Sequence, residues 1–338
     1  MKYFITGGCG FIGGHLIDRL LKSASNQVLN LDKLTYAANL LKSSQWDADS
    51  RYRFVQGDIC DNTLLATLLS EFKPQIVINL AAESHVDTSI AHPGNFVDTN
   101  ITGVYSLLEA CRCYWAPLPE VDKNRFRFYQ ISTDEVYGDT LAVPLPCTEE
   151  AAYKPGSPYS ASKAAADHLV RAWHRTYKLP TIISTSSNNY GPGQHPEKLI
   201  PKVIARALAG EMIPVYGSGK QTRDWLHVTD HVEAIELLAN KSEPGETWNV
   251  AGGNHSANID LVKQICNTLD EMAPQPSLKT RRYEALIQFV EDRPGHDYAY
   301  NIDSGKIKHR LNWQPKIEFK EGLRQTVQSY CSGGASSL

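Results

Sequence analysis

Short apolar runs alternate with longer segments of helical period through the first half of the chain. KYFIT leads into FIGGHLIDRLLKS. QVLNL, YRFVQG, QIVINLA, FRFYQIS and TIISTS repeat the short pattern, and TLLATLLSEF, FVDTNITGVYSLLEACRCYW and YSASKAAADHLVRAWHRTY repeat the long one. Strand-helix alternation of this kind predicts an α/β fold with a doubly wound, mostly parallel sheet and helices on both faces. From about residue 190 the pattern loosens. Glycine and proline punctuate it in GPGQHPEK, GEMIPVYGSGK, EPGE and DRPGHD, with the helical segments KLIPKVIARALAG and NIDLVKQICNTLDEM between short strands. The expected division is residues 1–186 for the sheet and residues 187–338 for a smaller mixed α/β lobe, with segments free to interleave. The closing SGGASSL reads as a mobile end.

A length of 338 residues is enough for two intimately joined units with a substantial core. The net charge of −3, from 34 basic and 37 acidic residues well mixed along the chain, provides no field for nucleic acid or a membrane surface. Any anion must be held locally. Seven cysteines with no C-x-x-C pair indicate neither a disulfide framework nor a zinc knuckle, which fits a reducing cytoplasm. Glycines and then Asp18 and Arg19 interrupt the N-terminal apolar run, unlike a signal peptide. No stretch approaches the 18 apolar residues of a membrane helix, so a soluble protein is expected.

The first strand runs into Gly7-Gly8-Cys9-Gly10-Phe11-Ile12-Gly13 and then a helix, a G-x-x-G-x-x-G turn. Gly7, Gly10 and Gly13 there permit a tight turn and close approach of a pyrophosphate to free N–H groups at the helix start. Asp32 ends the second strand 19 residues beyond Gly13. A carboxylate at that spacing suits the two ribose hydroxyls of NAD and repels the 2′-phosphate of NADP. The sheet is therefore expected to be of the Rossmann type. Asp58, closing another short strand, is open between an adenine contact and an ordinary loop acid. Small residues in Asn79-Leu-Ala-Ala-Glu-Ser-His85 leave room for a dinucleotide across the sheet edge.

Tyr159 and Lys163 open a helix announced by Ser157-Pro158, a cap residue followed by proline at the first helical position. Four residues apart, they share one face, so an ammonium lies near a phenol. With the positive nicotinamide ring it would favour the phenolate, a usable base. Ser132-Thr133-Asp134-Glu135-Val136-Tyr137-Gly138 ends another strand with two adjacent carboxylates, where ligands bind in open α/β sheets. One can serve as acid and the other as base, implying proton transfers beyond those of a simple dehydrogenase. Residues 139–158 follow as the longest irregular connection, long enough to suggest a role at the site. His227 and His231 have a zinc-like spacing but lack H-E-x-x-H and a clear third ligand, so no metal is expected. Cys111 and Cys113 fall on different sides of a helix and read as packing.

TGGCGFIG, LDKLTYAANL, LAAESHVDTSI, ISTDEVYGD, SPYSASKAAADHLVRAW, SNNYGPGQHPEKLIP, RDWLHVTDH and DRPGHDYAYNID together resemble the dTDP-glucose 4,6-dehydratase family. This is a sugar-nucleotide branch of the extended short-chain dehydrogenase/reductase superfamily, and the similarity runs from about residue 1 to 330. TGGxGFIG and YxxxK are common to the superfamily, whereas Thr133-Asp134-Glu135 is far more specific, since sugar-nucleotide epimerases of similar architecture usually carry small hydroxyl or apolar residues where Asp and Glu stand here. Cys9 stands where alanine is usual.

The resemblance implies that Tyr159, assisted by Lys163, takes the C4 hydroxyl proton of glucose as hydride passes to NAD, with Thr133 at that oxygen. Glu135 then takes the C5 proton, Asp134 protonates the C6 hydroxyl, water leaves, and the hydride returns to C6 as C5 is reprotonated. By resemblance Gly7, Gly10, Phe11, Ile12, Gly13, Asp32, Lys33, Thr35, Asp58, Ile59, Ala81, Thr99, Tyr159, Lys163 and Asn189 contact NAD. Ser84, Thr133, Asn188, Lys198, Leu199, Pro214, Val215, Tyr216, Arg223, Asn258, Asp292, Arg293 and His296 hold the nucleotide sugar. A homodimer through the helices near residues 95–114 and 159–177 is implied in the same way. A 4-epimerase, a dehydratase of another nucleotide sugar and a non-catalytic NAD-binding scaffold are the competing readings.

Overall fold

The structure is a computed structural model that describes residues 1–39, 44–274 and 282–332. From residue 333 the terminal stretch read as mobile lies outside the described residues. Its strands are β1 (Lys2–Thr6), β2 (Gln27–Asp32), β3 (Tyr52–Gln56), β4 (Ile76–Asn79), β5 (Arg127–Thr133), β6 (Thr181–Ser186), β7 (Asn188–Tyr190), β8 (Ile213–Tyr216), β9 (Thr222–His227), β10 (Thr247–Val250), β11 (His255–Ala257) and β12 (Ile287–Val290). The principal helices are α1 (Phe11–Leu21), α2 (Asn62–Phe72), α3 (Val104–Trp115), α4 (Pro158–Tyr177), α5 (Leu199–Ala209), α6 (Val228–Lys241), α7 (Asn258–Met272), α8 (Gly305–Leu311) and α9 (Phe319–Cys331).

Seven strands form one parallel sheet in the order β10-β6-β5-β4-β1-β2-β3. This is the doubly wound α/β sheet of Rossmann type that the alternating pattern predicts. Its order reverses at β1, between β2 and β4, which opens a crevice over the strands' carboxyl ends. The interior strands are buried on both faces, so their apolar runs are continuous rather than alternating. On one face Leu16, Ile17 and Leu20 of α1 pack with Val232, Ile235 and Leu238 of α6 and with Trp248. On the other, α2, α3 and α4 contribute Leu65, Leu68, Leu107, Leu108 and Val170.

β10 and α6 lie beyond residue 186 in the chain yet belong to this body, since β10 pairs with β6 and α6 covers the sheet beside α1. A separate core joins α5, α7 and α9 around Ile204, Ile265 and Val327. Beside it lie a three-stranded sheet, β11-β9-β7, and a two-stranded one, β12-β8. The long segment before α3 is not one continuous α-helix: a turn at Pro93–Phe96 passes through a π-helical stretch, Val97–Gly103, before α3 begins.

Polar side chains also run through the sheet. Thr6 Oγ1 donates to Asn79 Oδ1 at 2.5 Å, and Asn79 Nδ2 donates to Gln130 Oε1 at 2.8 Å, across β1, β4 and β5. All three are fully buried, so each hydrogen bond removes an otherwise costly unsatisfied group and fixes the alignment of strand ends beneath the crevice.

Candidate active site

A cleft of about 320 Å³ lies over those strand ends and is lined by the glycine turn, Asp32, Thr133, Asp134, Glu135, Tyr159 and Lys163. At its first end, β1 turns sharply into α1. Gly7 has φ of 72°, and a β-carbon there would lie 2.6 Å from the backbone nitrogen of Ala81. A β-carbon at Gly13 would lie 2.3 Å from the Gly7 carbonyl oxygen. α1 starts at Phe11 with Gly10 as an uncapped N-terminal residue and no acid in its first turn. Its leading N–H groups therefore meet the cleft without a competing side chain, a donor set that fits a pyrophosphate.

Two side chains from β2 hold this turn. Asn30 Oδ1 accepts from Gly8 N at 3.0 Å, and Asp32 Oδ2 accepts from Cys9 N at 2.9 Å. Asp32 Oδ1 accepts from Leu34 N at 2.8 Å, so one carboxylate ties the glycine turn to the segment that follows β2. Burial raises its pKa, and the backbone donors oppose that shift. Asn30 is a supporting residue that sequence reasoning missed, because a buried asparagine inside an apolar strand carries no motif. Gly13→Ala should drive α1 away from the turn and weaken NAD binding by at least about tenfold, through lost pyrophosphate contacts. Titration of NAD-stripped protein, with a thermal melt as the folding control, checks this.

The remaining cofactor-side candidates Lys33, Thr35, Asp58, Ile59, Ala81, Thr99 and Asn189 also line the cleft. Lys33 Nζ and Asp58 Oδ2 form an ion pair at 2.7 Å. Asn189 accepts at Oδ1 from His231 Nδ1 at 2.7 Å, which fixes its amide. Burial takes the His231 pKa down to about 3, so the imidazole is neutral, with its proton on Nδ1.

At the other end, Ser157 and Ser160 form a capping box, and Pro158 occupies the first turn of α4. These fix where the helix starts and turn Tyr159 and Lys163 into the cleft. Lys163 Nζ donates to the Ile131 carbonyl at 2.7 Å, and burial lowers its pKa to about 8. Burial pushes the Tyr159 phenol well up, with the charge of Glu135 adding to the effect.

β5 delivers Thr133 at its last position, and Asp134–Tyr137 follow as a short 3₁₀ turn. Thr133 Oγ1 caps that turn by accepting from Glu135 N at 3.4 Å. Gly138 ends it with φ of 73°, where a β-carbon would strike the Lys154 carbonyl. Asp134 is 2% exposed, with Oδ2 lacking any partner, and its pKa is raised well above the ordinary value by burial and then by Glu135. Burial also raises Glu135, but the cations Arg223, Arg293 and Lys198 oppose it.

Of the substrate-side candidates, Ser84, Thr133, Asn188 and Lys198 line the same cleft. Lys198 Nζ donates to the Ser84 carbonyl at 2.8 Å. Leu199, Pro214, Val215, Tyr216, Arg223, Asn258, Asp292, Arg293 and His296 are not on its lining. The Val215 side chain is buried in the second core. Tyr216 and Arg293 instead form a patch across the body boundary, donating to the two oxygens of Asp87 at 3.3 Å each. Asp292 accepts from His296 Nδ1 at 2.6 Å and from Gln221 Nε2 at 2.8 Å. Arg223 is held by the carbonyls of Thr222, Asp297 and Tyr298 and lies 4.4 Å over the Tyr300 ring.

A family model described as GDP-mannose 4,6 dehydratase matches residues 4–326. The dTDP-glucose 4,6-dehydratase of Salmonella typhimurium is 50% identical over 339 residues, spanning 98% of this chain and 92% of that protein. Its counterpart from Haemophilus influenzae is 50% identical over 337 residues and spans 100% of both. The crystal structure of a dTDP-glucose 4,6-dehydratase from Streptomyces venezuelae with NAD bound has a TM-score of 0.89 at 39% identity, covering 99% of this chain and 98% of that one. The chain belongs to the dTDP-glucose 4,6-dehydratase family.

Within this dehydratase frame the two histidines of zinc-like spacing have other tasks. His227 Nδ1 accepts from Thr229 N as the cap of α6, and His231 orients Asn189. Among the described residues no group of three or more His, Cys, Asp or Glu side chains could hold a metal ion. No helix there is long and apolar enough to cross a membrane. Cys111 is buried and Cys113 exposed on opposite sides of α3.

Proposed function

We propose that the chain is an NAD-dependent hydro-lyase that converts dTDP-glucose to dTDP-4-keto-6-deoxyglucose. The observation that carries this reading is the Asp134-Glu135 pair at the end of β5, in the same cleft as Tyr159, Lys163 and the glycine turn. An epimerase needs no group to expel the C6 hydroxyl, and a scaffold needs neither carboxylate.

NAD bound along the turn supplies the hydride acceptor for C4 and the hydride donor for C6. Around it, Phe11, Ile12 and Gly13 present N–H groups to the pyrophosphate, and Asp32 accepts from the adenosine ribose. Tyr159 takes the C4 hydroxyl proton. In the protein alone its phenol is held protonated, so the cation of Lys163 and the positive charge of the occupied cleft must favour the phenolate. Thr133 Oγ1 hydrogen-bonds the same C4 oxygen.

The environments of the two carboxyls then separate acid from base. Asp134, fully enclosed and beside another acid, is pushed towards its protonated form and donates a proton to the C6 hydroxyl. Burial raises Glu135 as well, but Arg223, Arg293 and Lys198 favour its charged form, and it takes the C5 proton. The ketone made at C4 acidifies C5, which is why oxidation must precede loss of water. Arg293 and Arg223 supply positive charge for the nucleotide pyrophosphate, with Tyr216, Asn258, Asp292 and His296 around it.

The chain divides functionally into an NAD-binding body, residues 1–186 with β10 and α6 added, and a nucleotide-sugar lobe from the rest. It acts as a homodimer pairing through α3 and α4, whose exposed Tyr105 and Tyr177 support that contact. It works in the cytoplasm, consistent with seven cysteines that form no disulfide with one another. Incubation with dTDP-glucose should yield a product lighter by one water in the mass spectrum. An isobaric sugar would indicate an epimerase, and an unchanged substrate at saturation would leave only a binding role.

A further inference from the structure

We propose that Asp167 is a positioning residue that joins the oxidation and elimination halves of the site, tying the end of β5 to α4 and placing a buried negative charge one turn from Lys163. The inference rests on the dehydratase reading above for its meaning, and on geometry for its evidence. Asp167 lies one turn beyond Lys163 on α4 and is completely buried. Its Oδ2 accepts from Ser132 Oγ at 2.6 Å and from Tyr153 O–H at 3.0 Å. Its Oδ1 is buried without a hydrogen-bond partner.

Each contact leads to the chemistry. Ser132 immediately precedes Thr133, Asp134 and Glu135. Ile131, one residue earlier, accepts the Lys163 ammonium at 2.7 Å. The end of β5 is therefore gripped twice by one face of α4, once through a carboxylate and once through an ammonium. Tyr153 belongs to the long irregular connection after the carboxylate pair, so the same oxygen also anchors that connection. Tyr153 in turn accepts from Arg171 Nη2 at 2.8 Å and packs edge-on against Tyr137 at 5.2 Å. A carboxylate so placed keeps Tyr159 and Glu135 in one rigid frame, which serves a reaction whose two steps act on neighbouring carbons of one sugar.

The electrostatics are consistent with this geometry. The groups facing Asp167 are Lys163, Tyr159 and Arg171 on its own helix, Tyr153 from the connection and Ser132 from β5. The His168 ring lies tilted against Tyr153, with centroids 5.5 Å apart. Burial lowers the Lys163 pKa, and Asp167 is the charge that opposes the fall. Burial raises Asp167, and Lys163 is first among the groups that counter it. Removing the carboxylate would take away the opposite charge that offsets the burial of Lys163, whose direct partner is the Ile131 carbonyl.

The test is an NMR titration of the holoenzyme carrying lysine labelled at Cε, with the Lys163 signal assigned by its loss in Lys163→Met. Asp167→Asn, which preserves shape, should lower the Lys163 midpoint by about one pH unit or more, the size expected for loss of a buried opposite charge. This readout does not depend on turnover, so an inactive parent would count against the proposed function and leave this measurement standing. An unmoved midpoint in folded Asp167→Asn overturns the proposal. Ser132→Ala is the milder second variant and carries the test alone if Asp167→Asn does not fold. It should reduce kcat by about tenfold with KM for dTDP-glucose nearly unchanged, as expected for a positioning loss. A kcat equal to the parent's overturns the proposal as well.

Discussion

Glu135→Gln should lower kcat by about 10²–10⁴, the range for removing a general base, while leaving the substrate able to bind and react at C4. The amide keeps the side chain's size and cannot accept the C5 proton. The diagnostic is therefore hydrogen exchange at C5. In deuterated water the parent should incorporate deuterium at C5, and Glu135→Gln should not. Asp134→Asn should behave differently, because its missing proton is needed only when the C6 hydroxyl departs. That variant should still exchange C5 while releasing almost no product. If the exchange pattern of the two variants is reversed, the acid and base assignments must be exchanged. Normal turnover in Glu135→Gln would remove the residue from the mechanism.

Tyr159→Phe should be the other severe loss, about 10³-fold in kcat/KM, or roughly 4 kcal/mol of transition-state stabilisation. It acts before the carboxylates, so C5 exchange should vanish along with product. The pH dependence distinguishes Tyr159 from its helper. The phenolate is the active form, so the rate should rise with pH through the effective pKa of Tyr159. Lys163, with a pKa of about 8, supports that phenolate while charged. Lys163→Met should therefore shift the acid limb to higher pH, with a larger deficit at pH 7 than at pH 9. A uniform loss at every pH would show that Lys163 acts only by holding cofactor.

Local patterns explain what was legible in the chain. The glycine turn, Asp32, the Ser157-Pro158 start of α4 and the Tyr159–Lys163 spacing each depend on residues within one or two turns of one another. The parallel sheet was legible because its interior strands are buried on both faces and their apolar runs alternate with segments of helical period. Long-range pairing was not. Nothing in the sequence near Trp248 announces that β10 will pair with β6, more than sixty residues earlier. The Thr6-Asn79-Gln130 chain, the support of the glycine turn by Asn30 and the grip of Asp167 on Ser132 are polar contacts inside apolar segments. Only tertiary packing reveals their partners. Arg293 and Tyr216 meet at Asp87 for the same reason, through a contact between residues 206 positions apart in the case of Arg293.

The acid and base roles lay between these cases. Adjacent carboxylates at a strand end are visible in STDEVYGD, but their inequality depends on what surrounds each. Asp134 turns into an enclosed site with an unpartnered oxygen, and Glu135 faces cations from β9, from the start of α5 and from the segment after β12.

The central claim is that one cleft oxidises C4 and uses the same hydrogen to reduce C6. Turnover of dTDP-glucose carrying deuterium at C4, followed by NMR and mass analysis of the product, tests it most directly. The account predicts that the deuterium appears in the C6 methyl group of the same molecule, with solvent hydrogen at C5. Deuterium retained at C4, or lost to water, would contradict it.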